Sequence, residues 1–258
     1  MKKIFLFTAV ILLLFVFNET SLAQAASGTG GTTLPFPKID LNVGAAQNGE
    51  DVSVTLQILL LMTVLSLAPS IVIMTTAYLR IIIVFHFLKT ALGTQQMPPA
   101  QILAGIALFI TFFIMSPTWN KVNDIALKPL MENKMSVNEA YDKGIEPIRE
   151  FMFKNVRDED LELFLGLSKL DKPANRNEVS TLVLVPAFVL SELRAGFIIG
   201  FFMFVPFVMV DMIVSSILMS MGMMMMPPMM ISLPFKILLF ILVDGWNLII
   251  GSLVRSFS

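Results

Sequence analysis

The chain has 258 residues, 56% hydrophobic and only 14% charged, whereas soluble domains carry about a quarter charged residues. A net charge of −1 excludes a basic face for nucleic acid, and the lack of cysteine excludes disulfides, thiolate metal sites and a cysteine nucleophile. One histidine, His86, cannot make a multi-histidine metal centre, and no paired-acid or glycine-rich phosphate motif points to an enzyme or a cofactor. Most acids and bases fall in residues 120–178, a pattern of apolar membrane spans joined to one small polar segment.

Lys2 and Lys3 precede an apolar run at residues 4–17, and Ala23-Gln24-Ala25 fits the small-x-small rule. This predicts a signal peptide, residues 1–25, cleaved between Ala25 and Ala26. Residues 26–54, rich in Gly, Thr, Asn and Pro, cannot bury a core and read as a flexible extracytoplasmic leader.

An apolar stretch at 56–79 contains Pro69, is interrupted by Arg80 and continues over 81–88. It exceeds the roughly 20 residues a bilayer needs and predicts a tilted or projecting helix. Lys89, Gly93 and Pro98-Pro99 end it; a second span, 100–115, closes at Ser116-Pro117. Residues 55–118 thus form a first helical hairpin, and Arg80 and Lys89 place its turn in the cytoplasm.

Residues 119–180 read as a small extracytoplasmic helical domain. Ser136 and Glu139 fit a capping box, Gly144 a stop, and Pro147 the first turn of a new helix. Asp158 is placed to cap residues 159–167, whose Leu161, Phe164 and Leu165 share a face. About 60 residues is marginal for independent folding, so this segment is expected to lean on its neighbours.

Residues 181–222 are apolar but contain Pro186, Glu192, Arg194, Pro206 and Asp211. Two readings stand: two short helices broken near Pro206, or one helix about 60 Å long buried against protein. A last span, 233–257, carries Lys236 and Asp244, and completes a second hairpin at 181–258. Glu192, Gly196 and Gly200 recur every four residues on one stripe, where small residues let helices approach closely. Arg194 falls on the opposite, bulky face. A helix charged on both sides suits no lipid, so it is expected to be surrounded by more helices than one chain supplies. Glu192, Asp211 and Asp244 are then either ion or proton relays or interhelical pairs holding an oligomer; the pairing reading is favoured. His86 reads as a partly solvated surface residue.

Residues 218–230, LMSMGMMMMPPMM, include eight methionines. Leu or Ile would specify a fixed core better. Methionine is flexible and polarizable and repacks around variable partners, so the turn reads as a deformable seal.

The stretches RIIIVFHFLKTALGTQQMPP from Arg80, ALFITFFIMSP from Ala107, PIREFM from Pro147, PAFVLSELRAGFIIGF from Pro186, PFVMVDMIVSSILMSMGMMMMPP from Pro206 and LPFKILLFILVDGWNLIIGSLVRSF from Leu233 resemble the FliP/SctR family of export-gate proteins. The resemblance covers residues 55–258. It implies an all-α integral membrane protein of helical hairpins in the bacterial cytoplasmic membrane, at the flagellar basal body. It further implies a pentamer that assembles with FliQ-like and FliR-like subunits into a helical channel complex standing largely above the membrane plane within the basal-body ring proteins. Unfolded protein substrates would pass through it, and Met223, Met224 and Met225 would form its gasket. Glu192, Arg194, Gly196, Gly200 and Asp211 are the expected packing and assembly residues. The rival is an ion-coupled transporter using Glu192, Asp211 and Asp244, which paired internal repeats would favour; none is evident.

Overall fold

Every regular element among the described residues is helical. The structure is a computed structural model that describes residues 49–94, 97–168, 173, 175–223 and 227–257. The signal peptide 1–25, most of the leader, and Met224, Met225 and Met226 lie outside the described residues.

In chain order the helices are α1 (Gly49–Met74), α2 (Tyr78–Leu92) and α3 (Ala100–Val122), then a π-helical turn (Asn123–Leu127) and α4 (Lys128–Met131). They continue with α5 (Val137–Asn155), α6 (Asp158–Ser168), a 3-10 turn (Arg176–Glu178), α7 (Thr181–Ser220), α8 (Pro228–Leu242) and α9 (Gly245–Arg255). Ala100–Met131 and Thr181–Ser220 are each long and apolar enough to cross a membrane, and Ile58–Met74 with α2 and α8 with α9 pass the same test as bent pairs.

Helix α2 is the hub. Ala77, Ile81, Val84, Phe85, Leu88 and Ala91 recur at helical spacing and are all buried. They face Leu103, Ala107 and Ile110 of α3, Phe207 of α7, Phe240 of α8, and Ile249 and Leu253 of α9. A second cluster lies at the amino-terminal end of α7, where Val183, Leu184, Ala187 and Phe188 meet Met152 of α5 and Leu161 of α6. Helix α7 therefore joins the apolar core to the helices of the polar segment. One face of its distal half is bare: Met209, Met212, Ile213, Ile217 and Met219 are all exposed.

Two local signals in the polar segment hold. The Ser136 hydroxyl accepts the Glu139 amide, and the Glu139 carboxylate accepts the Ser136 amide at 2.9 Å, completing the capping box. These bonds hold the Glu139 carboxyl below its ordinary value of 4.5, the backbone donor contributing most. Leu161, Phe164 and Leu165 pack as one face.

Four expectations are corrected and one open choice is decided. The apolar stretch at 56–88 is two helices, bent by 69° between Met74 and Tyr78. The second span does not close at Pro117: α3 runs through it, and the π turn carries the helical path on to Met131. Gly144 does not stop α5, nor does Pro147 start a helix; one helix spans both, with Pro147 buried. The long stretch is one 40-residue helix that passes Pro186 and Pro206 unbroken. The last span is broken instead, by 62° at Asp244, whose φ of 49° is left-handed. Proline removes one backbone bond, about 3 kcal/mol in an isolated helix, and burial along α7 against α2, α5, α6 and α8 offsets that loss.

Glycine ends α7. Gly222 takes φ 74°, its amide bonds to the Met219 carbonyl, and the Met223 amide bonds to Leu218 O at 3.0 Å. This is a Schellman stop, and it sets where the methionine turn begins.

Candidate functional site

Two charges buried in apolar surroundings decide the centre of the molecule. Arg80, in the first turn of α2, is 5% exposed and Glu192, in the first third of α7, is 0% exposed. Nε of Arg80 donates to Glu192 Oε2 at 2.9 Å and Nη2 to Oε1 at 2.5 Å, a two-pronged pair across 112 residues of sequence. Nη1 donates to the Ser256 carbonyl at 2.9 Å and to its hydroxyl at 3.0 Å, and the guanidinium lies 3.8 Å from the Phe257 ring centroid. One side chain thus ties α2, α7 and the segment after α9. Arginine does not deprotonate in proteins, so its carboxylate partner stays compensated.

A second pair sits farther along α7. Lys236 of α8, 3% exposed, donates to Asp211 Oδ2 at 2.6 Å, and the Ser232 hydroxyl donates to Oδ1 at 2.5 Å. Nearer the start of α7, Ser191 donates to the buried Asp160 of α6 at 2.7 Å and accepts the Arg157 amide at 3.0 Å. Arg194 reaches the other Asp160 oxygen at 3.9 Å. Two carboxylates of α7, Glu192 and Asp211, and one of α6, Asp160, thus each have their own cation.

The small-residue stripe faces α2 of the same chain. A Cβ added to Gly196 would lie 3.1 Å from Ile83, and one added to Gly200 would lie 2.5 Å from Phe87. The partners of Glu192 and of this stripe are thus supplied within the chain, by α2. Asp244 is exposed and accepts from Asn247 at 3.2 Å, apart from the other charges. His86 is exposed, as expected. Of the gasket residues only Met223 is described; it is exposed just beyond the α7 stop. Ala25 and Ala26 lie outside the described residues. Among the described residues no group of three or more metal-ligating side chains converges.

Sequence reasoning treated Arg80 as a cytoplasmic marker and missed Lys236, Ser232 and Asp160 as partners. A signal was there: the charges interrupting the apolar runs include a base for each acid, Arg80 and Lys236 against Glu192 and Asp211.

The family model of the FliP family matches residues 61–253, three quarters of the chain. The chain belongs to the FliP family. It is 55% identical over 217 residues to the flagellar biosynthetic protein FliP of Bacillus subtilis, covering 84% of this chain and 98% of that one. It is 45% identical over 262 residues to FliP of Borreliella burgdorferi, covering all of both chains. FliP of Caulobacter vibrioides is 50% identical over 202 residues, 78% of this chain and 76% of that one. The FliP match contains Arg80, Glu192, Asp211, Lys236 and the methionine turn, so both buried pairs lie inside the region that defines membership.

Proposed function

We propose that this chain is a pore-forming subunit of the flagellar protein export gate in the bacterial cytoplasmic membrane. The observation that carries this reading is FliP family membership over residues 61–253, in a chain whose helices are apolar enough to cross a membrane. Relatives bearing the name flagellar biosynthetic protein support the flagellar assignment over other secretion systems. On this reading several copies, five by resemblance, assemble with FliQ-like and FliR-like subunits and basal-body proteins. Residues 119–180 face away from the cytoplasm. Unfolded flagellar proteins pass along the central axis, and the chain performs no covalent chemistry.

The exposed apolar face along the distal half of α7 supports assembly, because a surface of that length and character needs lipid or protein against it. The methionine turn begins where that half ends, and Met223, Met224 and Met225 are assigned to the seal. A closed export pore must stop ions yet pass chains of many shapes, and unbranched side chains change rotamer at little cost. The transporter reading fares worse: Glu192 and Asp211 are already bonded to Arg80 and Lys236, leaving Asp244 as the one candidate carboxylate with no cation among the described residues.

The test is replacement of Met223, Met224 and Met225 together by alanine in a motile strain. Assembly should survive, measured as the native mass of the detergent-extracted complex, while resting ion conductance rises. An impermeable variant with an intact complex would place the seal elsewhere. A native mass of one chain alone would overturn the assembly.

A further inference from the structure

A cavity of about 500 Å³ opens where α2 ends and α3 begins, and neither buried ion pair fills it. Its floor is apolar, with Phe85 of α2 and Leu103 of α3. Its rim is polar, with Lys89, Thr90 and Thr94. Two of these rim groups are already committed. The Thr90 hydroxyl donates to the His86 carbonyl at 2.9 Å, and the Thr94 hydroxyl donates to the Met97 carbonyl. Lys89 differs. Among the described residues no carboxylate lies within ion-pair distance of it and no acceptor takes its three ammonium hydrogens. The nearby ammonium of Lys236, 3.8 Å from a Cβ placed on Gly93, is neutralised by Asp211. The cavity thus pairs an apolar floor with one uncompensated, half-buried cation.

Its depth narrows the ligand. The bent apolar pair ending in α2 and the apolar run starting at Ala100 both terminate at this cavity, so on the membrane topology proposed above, on which this inference rests, it opens where a hydrocarbon core gives way to headgroups. Its volume is that of a small-molecule site and too small for a whole lipid. It fits a phosphate group with the first methylenes of one chain, the remainder extending into the bilayer. We infer that this cavity binds the headgroup of one anionic phospholipid, its phosphate on the Lys89 ammonium and its upper acyl chain against Phe85 and Leu103. A zwitterionic lipid brings a second cation towards Lys89 and binds less well.

The experiment titrates detergent-solubilised full chain with dioleoyl phosphatidylglycerol, dioleoyl phosphatidylcholine and inorganic phosphate, reading retained lipid by native mass spectrometry. Phosphatidylglycerol should bind about tenfold more tightly than phosphatidylcholine. Lys89→Gln should remove that preference. Ala100→Phe, which plugs the cavity and keeps Lys89, should lower binding of both lipids. Either variant is informative if it elutes as the parent chain does, so a folding failure in one leaves the other. Phosphatidylglycerol binding in both variants as tight as in the parent chain, or no preference between the lipids in the parent chain, would overturn the proposal. Displacement of phosphatidylglycerol by millimolar inorganic phosphate would assign the site to the free anion and likewise overturn the lipid.

Discussion

Replacing Arg80 by alanine leaves the Glu192 carboxylate enclosed at 0% exposure with no counter-charge. Removing one member of a buried pair costs about 3–5 kcal/mol, whereas replacing both by apolar residues of similar volume is often neutral. Arg80→Ala and Glu192→Ala should each lower the thermal midpoint of the purified chain sharply. The double change Arg80→Met with Glu192→Leu should recover most of the loss, short of what the freed Ser256 carbonyl costs. A double variant as unstable as the sum of the singles would show that the two side chains are not coupled. At the surface, Glu139 gives a smaller effect with a definite sign. Its folded carboxyl titrates below its ordinary 4.5 because Ser136 holds the charged form. The cap therefore contributes fully above pH 4.5 and is lost as pH falls through the lower, folded value. Amide exchange in the first turn of α5, corrected for intrinsic rates, should speed up across that acid window in the parent chain and stay flat in Glu139→Gln.

At the scale of the helix, contact distances rank the glycines. Gly200→Ala sets a methyl 2.5 Å from Phe87, against ring and Cβ atoms near the backbone that have little room to yield. Gly196→Ala meets Ile83 at 3.1 Å, a contact relieved by a few tenths of an ångström. Both should loosen the α2–α7 seam, with Gly200→Ala the more destabilising by thermal unfolding; a reversed order would mean that the helices slide to accommodate the methyl. The same scale separates what the sequence discloses from what it conceals. The capping box and the Leu161 face involve residues a few positions apart, so local chemistry decides them and they were legible. Pro117, Gly144, Pro147 and Pro206 carry true breaking tendencies, but each sits in a helix whose packing outweighs them. The break after Met74 carries no glycine or proline at the bend itself, whereas the one at Asp244 runs straight into Gly245, where a Cβ would lie 2.2 Å from the Phe240 ring. The Arg80–Glu192 pair was illegible because nothing local says which of the scattered charges will meet.

For the whole molecule, the topology we propose, with a cleaved signal segment at residues 1–25, sets residues 119–180 on the side opposite the turn between α2 and α3. N-terminal sequencing of the mature chain should begin at Ala26, and a retained Met1 in assembled complexes would make the segment an anchor. The order in which the chain is made adds a further consequence. Glu192 follows Arg80 by 112 residues. At a synthesis rate of ~5–20 residues per second, dividing 112 by those rates leaves an interval of about 6–22 s in which α2 exists and its counter-ion does not. During that time Arg80 must keep its charge in water or at the headgroups, so α2 cannot yet take its final depth. If these helices cross the membrane as proposed, the 69° bend after Met74 would let α1 insert while α2 rests across the surface until α7 arrives. Chains stalled before Glu192 are then the species with a stranded arginine, and the ones a membrane protease would meet first.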